Sequence, residues 1–118
     1  MKSFASKFNK TSFEIDTTNY PYCKLSDIFN SKEEGGKDVV HPINGMWCRK
    51  SPLGDSPCII DEVNKRLVNL PSHCAETVRE ILSDSDAIQA IKDGKAGYVI
   101  YEYESHAKKC YSISFVDM

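Results

Sequence analysis

No stretch of this chain approaches the ~20 consecutive apolar residues that a membrane-spanning helix needs. Its first residues, Met1-Lys2-Ser3-Phe4-Ala5-Ser6-Lys7, lack the continuous apolar core of a secretory signal. A cytoplasmic protein without a membrane partner is expected. Paired-cysteine metal spacings are also missing: Cys23, Cys48, Cys58, Cys74 and Cys110 follow one another at intervals of 25, 10, 16 and 36, which suit neither a CxxC site nor a compact disulfide framework. An odd number of scattered cysteines reads as reduced, mostly buried thiols. The three histidines, His41, His73 and His106, stand at no HxH or HxxxH spacing, and there is neither a P-loop nor a GxGxxG run. No metal and no cofactor is expected. The adjacent His73 and Cys74 fall on a helix, where neighbouring side chains point about 100° apart, a poor geometry for a base and its nucleophile. A non-catalytic protein follows. Strong basicity is absent too, with a net charge of −2, although the charge is uneven. Residues 70–93 hold five acidic and two basic residues, a balance of −3, so the remainder carries +1.

What is present fits one domain. At 118 residues, 41% hydrophobic and 27% charged, the chain is long enough to bury a single core. Residues 1–21 form a basic and aromatic arm (Lys2, Phe4, Lys7, Phe8, Lys10, Phe13) without clear periodicity. Its phenylalanines could tuck onto the domain, or its lysines and rings could hold an extended polyanion. Residues 22–118 form the domain itself.

The most informative stretch is the last, Lys95 to Met118. Tyr98 to Tyr103 and Cys110 to Val116 are rich in β-branched and aromatic residues, and Ser105 to Lys108 between them suits a four-residue hairpin loop. With Glu104 facing Lys109, Tyr103 pairs with Cys110, Tyr101 with Ser112, Ile100 with Ile113 and Tyr98 with Phe115. Side chains alternate along strands. One face then carries Tyr98, Ile100, Tyr111, Ile113 and Phe115 as core, and the other carries Tyr101, Tyr103, Cys110, Ser112 and Ser114. Two tyrosines among serines are unusual for a merely solvated face.

Upstream, Tyr22 to Phe29 reads as a first strand and Asn30 to Asp38, with Gly35-Gly36, as a loop. Val39 to Lys50 reads as a second strand bent at Pro42 and Gly45. Ser56 to Asp61 is a third strand after a Pro/Gly turn, and Glu62 to Arg66 is a charged turn followed by the short Leu67 to Leu70. Ser72 opens a helix with Cys74, Val78, Ile81 and Leu82 on one stripe, and Ser83-Asp84-Ser85 recaps a second short helix through Asp93. Three strands, one or two short helices and two strands give the connectivity of a five-stranded OB-fold-like Greek-key barrel, a mainly β class.

The segments FASKFNK (Phe4 to Lys10), LVNLP (Leu67 to Pro71), KAGYVIYEY and KKCYSISFVD resemble small single-stranded-DNA-binding-like OB-fold proteins of phages and mobile elements in Gram-positive bacteria. The resemblance implies an OB barrel that binds single-stranded DNA. The chain departs from typical single-strand binders in stopping at Phe115-Val116-Asp117-Met118 without an acidic tail, so the resemblance implies no recruitment of partners through one.

The expected function is accordingly non-catalytic binding of single-stranded nucleic acid. Tyr101, Tyr103 and Trp47 would stack on bases, while Arg49, Lys50, Lys65, Arg66, Lys108 and Lys109 follow the phosphates. Trp47 carries a second reading as the largest core side chain, and the basic doublets one as solubilising surface. The alternative function is a protein-interaction module of a phage or mobile element, in which the same aromatic face meets a protein partner or a second copy.

Overall fold

Seven strands and three α-helices make up the residues that the computed structural model describes, which are residue 15, residues 17–51 and residues 54–118, the side chains of residues 50 and 51 excepted. The first strand, β1 (Tyr22–Lys24), stops short of the expected Phe29, because α1 (Leu25–Phe29) takes over. Leu25 and Ile28 are both buried, and their i, i+3 spacing suits one helical turn. Strand alternation would instead have turned Asp27 inward with Leu25. Beyond α1 the chain folds back on itself. Gly35 N–H donates to the Ser31 carbonyl and Gly36 N–H to that of Phe29, at 2.9 Å each. A Cβ on Gly35 would lie 2.3 Å from both of those carbonyl oxygens, so only glycine fits.

The expected second strand is two strands in different sheets, β2 (Val40–Pro42) and β3 (Gly45–Ser51), parted at Ile43-Asn44. Then follow β4 (Gly54–Asp61), β5 (Arg66–Asn69), a 3-10 turn (Ser72–Cys74), α2 (Ala75–Leu82) and α3 (Ser85–Lys92). Asp84 caps α3, accepting from the backbone N–H of Asp86 and Ala87. The terminal hairpin is β6 (Ala96–Ser105) with β7 (Lys108–Asp117).

One sheet runs in the order β1-β5-β4-β3, with β1 parallel to β5 and the rest antiparallel; the other runs β2-β6-β7. This overturns the five-stranded OB-fold-like barrel. The domain is a mixed α/β fold, and among the described residues no ladder closes the two sheets into a barrel. Two misreadings account for the error. Val39 to Lys50 supplies two strands rather than one, and Leu67 to Asn69, not counted among the expected strands, lie in β5, bonded on both sides. The two helices expected before the hairpin are there, but α1 adds a third.

The hairpin register is the expected one at every pair, from Tyr98 opposite Phe115 to Glu104 opposite Lys109. The loop is shorter than expected, only His106 and Ala107, both at positive φ (52° and 62°) as a type I′ turn requires. Two-residue and four-residue loops share one centre, so the register is unaffected. Tyr98, Ile100 and Ile113 enter a core built with Met46, Ile59 and Val68 of the larger sheet, Leu25 and Ile28 of α1, Val78 of α2 and Ile91 of α3. Phe115, expected in that core, is 37% exposed. It lines a cleft of about 280 Å³ with Ile43, Ile91 and Lys95. On the outer face of the larger sheet a second cluster, Cys58, Ile60 and Leu67, is covered by Trp47, Ile15 and Tyr20. Of the expected arm, the residues up to 14 lie outside the described ones, while Pro21 accepts a hydrogen bond from Leu67 N–H at 2.8 Å.

Gly35→Ala is expected to destabilise the domain by about 1–3 kcal/mol, because an overpacked backbone must shift to admit the methyl; urea denaturation measures it.

Candidate functional site

The nine residues expected to bind nucleic acid do not share one groove. Tyr101 and Tyr103 lie on the outer face of the smaller sheet, with ring centroids 6.0 Å apart. Tyr101 is 41% exposed and Tyr103 half-buried. Burial, with Cys110, Tyr101 and Cys74 nearby, pushes the Tyr103 phenol up. Lys108 shares this face by register, opposite Ser105. Lys109 falls on the opposite face, where its Nζ lies 4.0 Å from Glu102 Oε1. Trp47 and Arg49 stand on the outer face of the other sheet. The Arg49 guanidinium covers the Trp47 ring at 4.9 Å, while the ring packs on Cys58, Ile60 and Leu67. Trp47 is therefore half-buried, packed on this cluster with a cation over its ring, between the core side chain and the exposed stacking platform that were its two readings. Lys50 follows in β3, its side chain outside the described part. Lys65 is exposed in the β4–β5 turn at φ 52°.

Arg66 is the correction. It is buried on the inner face of the larger sheet, where Nε donates to Asp61 Oδ2 at 3.0 Å and the two Nη atoms grip both carboxylate oxygens of Glu34 at 2.9 and 2.5 Å. Three of its five N–H donors are engaged by these carboxylates, and at 9% exposure the group is turned into the fold rather than toward a surface phosphate. Asn64 completes the arrangement by donating from its backbone and side chain to Asp61 at 3.0 and 2.8 Å. His41 approaches Glu34 at 3.7 Å and stacks on Tyr98, whose buried hydroxyl has no hydrogen-bond partner among the described residues. Burial pushes the Tyr98 phenol up. The signal for this network was in the sequence. Val68 and Leu70 turn inward, alternation makes Arg66 turn inward with them, and across the turn Asp61 follows Ile59 in the same way.

Sequence reading also missed what covers Ser112. The 3-10 turn crosses the tyrosine face there, so that His73 Nε2 lies 2.9 Å and Cys74 Sγ 3.9 Å from Ser112 Oγ. Ser112 is only 2% exposed, and burial pushes the Cys74 thiol up. Ser112 and Cys74 are thus both buried, with each other and His73 as neighbours. Cys58 is likewise pushed up by burial, to about 12. All five cysteines are free, and among the described residues no cluster of His, Cys, Asp or Glu forms a metal site. Among the same residues no helix is long and apolar enough to cross a membrane.

No family model, curated protein or solved structure matches the chain. The resemblance to single-stranded-DNA-binding-like proteins therefore rests on its quoted segments alone.

Two expectations follow from the ion-pair network. Arg66→Ala leaves the fully buried Asp61 unpaired and should cost about 3–5 kcal/mol, whereas Lys65→Ala one position earlier should stay within about 0.5 kcal/mol; paired urea titrations separate them. The second concerns acid. Hydrogen bonds from Arg66 hold the Glu34 carboxyl below the usual carboxylate range, and burial pushes His41 down against the attraction of Glu34. A depressed carboxylate stabilises the fold above its unfolded pKa and loses that contribution as pH falls through the folded value. A depressed histidine takes up its proton more readily when unfolded, so stability falls as pH drops below about 6.5. Both act in one direction. Denaturation midpoints should fall steadily from neutral pH downward, with the upper part of the slope abolished in His41→Gln and the lower part in Glu34→Gln.

Proposed function

We propose that this is a cytoplasmic, non-catalytic protein-interaction module whose contact surface is the tyrosine face of the terminal hairpin. The observation that supports it most is the composition of that face. Around the point where the 3-10 turn covers Ser112, the residues Val99, Tyr101, Tyr103, Cys110, Ser114 and Val116 carry no acid, and Lys108 at the tip is the one charge of the two strands on this face. Tyrosine enrichment with charge depletion is how the centre of a protein interface differs from ordinary surface. A polyanion would call for several cations along its track, and here Arg66 is committed internally while Lys109 sits beside Glu102 on the other face. The five free thiols agree with a reducing compartment.

Single-stranded nucleic acid binding is the second reading, favoured by the paired rings of Tyr101 and Tyr103 with Lys108 on their face.

One double variant separates the readings. Tyr101→Ala/Tyr103→Ala should leave stability within about 1 kcal/mol of the parent, as two surface substitutions do. A photo-crosslinking residue placed at Ser114 should give a discrete protein adduct in cells that the double variant abolishes and that a crosslinker at exposed Glu80 does not give. Oligothymidylate should show no binding at low salt. Binding that weakens with salt at a slope of roughly −0.7 per phosphate contact, and that the double variant loses, would transfer the assignment to nucleic acid.

A further inference from the structure

The geometry points to a second copy of this chain as a partner, added edge to edge along β7 to make one continuous six-stranded sheet. β7 ends the smaller sheet. The I′ turn makes Ser105 and Lys108 a hydrogen-bonded pair, and the bond from Met118 N–H to the Lys95 carbonyl at 2.9 Å shows the same phase at the far end. Even-numbered residues of β7 therefore spend their backbone groups on β6. Lys109, Tyr111, Ile113, Phe115 and Asp117 aim theirs outward, where among the described residues no other strand is bonded to them. Such an edge is a template for another strand.

What selects a second copy is self-complementarity. In an antiparallel pair centred on Ile113, every outward residue meets an outward residue. Lys109 faces Asp117 of the other copy, Tyr111 faces Phe115, and Ile113 faces its own equivalent. The strand's charges lie at its two ends with opposite sign, Lys108 and Lys109 at one and Asp117 at the other. This register sets Lys109 against Asp117 twice and leaves an apolar centre. A slip of two residues one way puts Lys109 against Phe115, and the other way Tyr111 against Asp117. The pairing is isologous and closes as a two-fold dimer. A groove of about 340 Å³ runs along Lys109, Cys110 and Tyr111, walled also by Lys24, Leu25, Asn69 and Pro71. It also makes sense of Phe115, which is exposed in a single copy and gains Tyr111 of the other as a cross-strand neighbour. The inference concerns the edge of the sheet and stands whichever partner the tyrosine face takes.

The test uses the full chain. Analytical ultracentrifugation should show a reversible monomer–dimer equilibrium with a dissociation constant of the order of 100 μM, the weak range for a small interface. Amide hydrogen exchange should show protection that grows with concentration at Tyr111, Ile113 and Phe115, with no change at Ser112 and Ser114, which are bonded to β6 at every concentration. Asp117→Lys sets like charges against each other at both ends and should weaken the dimer by about tenfold. Asp117→Lys combined with Lys109→Asp restores opposite signs and should recover most of that loss. A chain that stays monomeric at about 1 mM, a dimer without alternating protection in β7, or a double variant no better than the single one would each overturn the inference.

Discussion

A buried guanidinium holds four parts of this molecule in place. Arg66 comes from the start of β5 and Asp61 from the end of β4, so their contact locks the β4–β5 hairpin. Glu34 belongs to the loop after α1, and its two-pronged grip on Arg66 ties that loop to the larger sheet. His41 of β2 and Tyr98 of β6 close over the group from the smaller sheet. Desolvating three charges is costly, and such a cluster is tolerated only when nearly every donor and acceptor is met. Asn64 meets those that Arg66 leaves on Asp61. The loop can reach only because Gly35 lets it turn hard against the end of α1. A glycine and a buried cation far apart in sequence are thus two halves of one constraint.

The hairpin was legible in the sequence because both determinants of its register are local. Alternation assigns the faces, and the turn fixes the centre whether it has two residues or four. The remaining errors share a physical origin. In Tyr22 to Phe29 the apolar residues are too few to separate period two from a single helical turn, and only the burial of Ile28 beside Leu25 decides. In Val39 to Lys50 the bend at Pro42 and Gly45 was visible, but the first half pairs with β6, from Val40 opposite Val99 to Pro42 opposite Gly97, while the second pairs with β4 directly after it, and only the distant partner sets the first half in another sheet. Arg66 looked like half of a surface doublet, free to follow phosphates or to solubilise, because its acceptors lie five and thirty-two positions away. Alternation carried the information, and charge was allowed to outweigh it.

The same separation by faces explains how the candidate site divided. Trp47 with Arg49, and Tyr101 with Tyr103, are each true local pairs, as their spacing along single strands requires. Joining them into one groove needed the barrel. Two sheets around a shared core turn their outer faces apart, so each pair serves a surface of its own. The tyrosine face keeps its character because the glutamates of β6, Glu102 and Glu104, fall on the other side by parity alone.

The crossing of Ile43-Asn44 from one sheet to the other also bears on the order in which the molecule assembles. β6 and β7 meet across a two-residue turn and can zip within about 1–10 μs, as isolated hairpins do. β1 must find β5 across a separation of 45 residues, Tyr22 to Leu67, and in parallel, the slower kind of pairing. Between these extremes, β2 needs the hairpin for its partner while β3 needs only the adjacent β4, so the short segment Ile43-Asn44 links a pairing of long range to one of short range. Each sheet borrows part of its order from the other, and cooperative unfolding is what such a single small domain is expected to show.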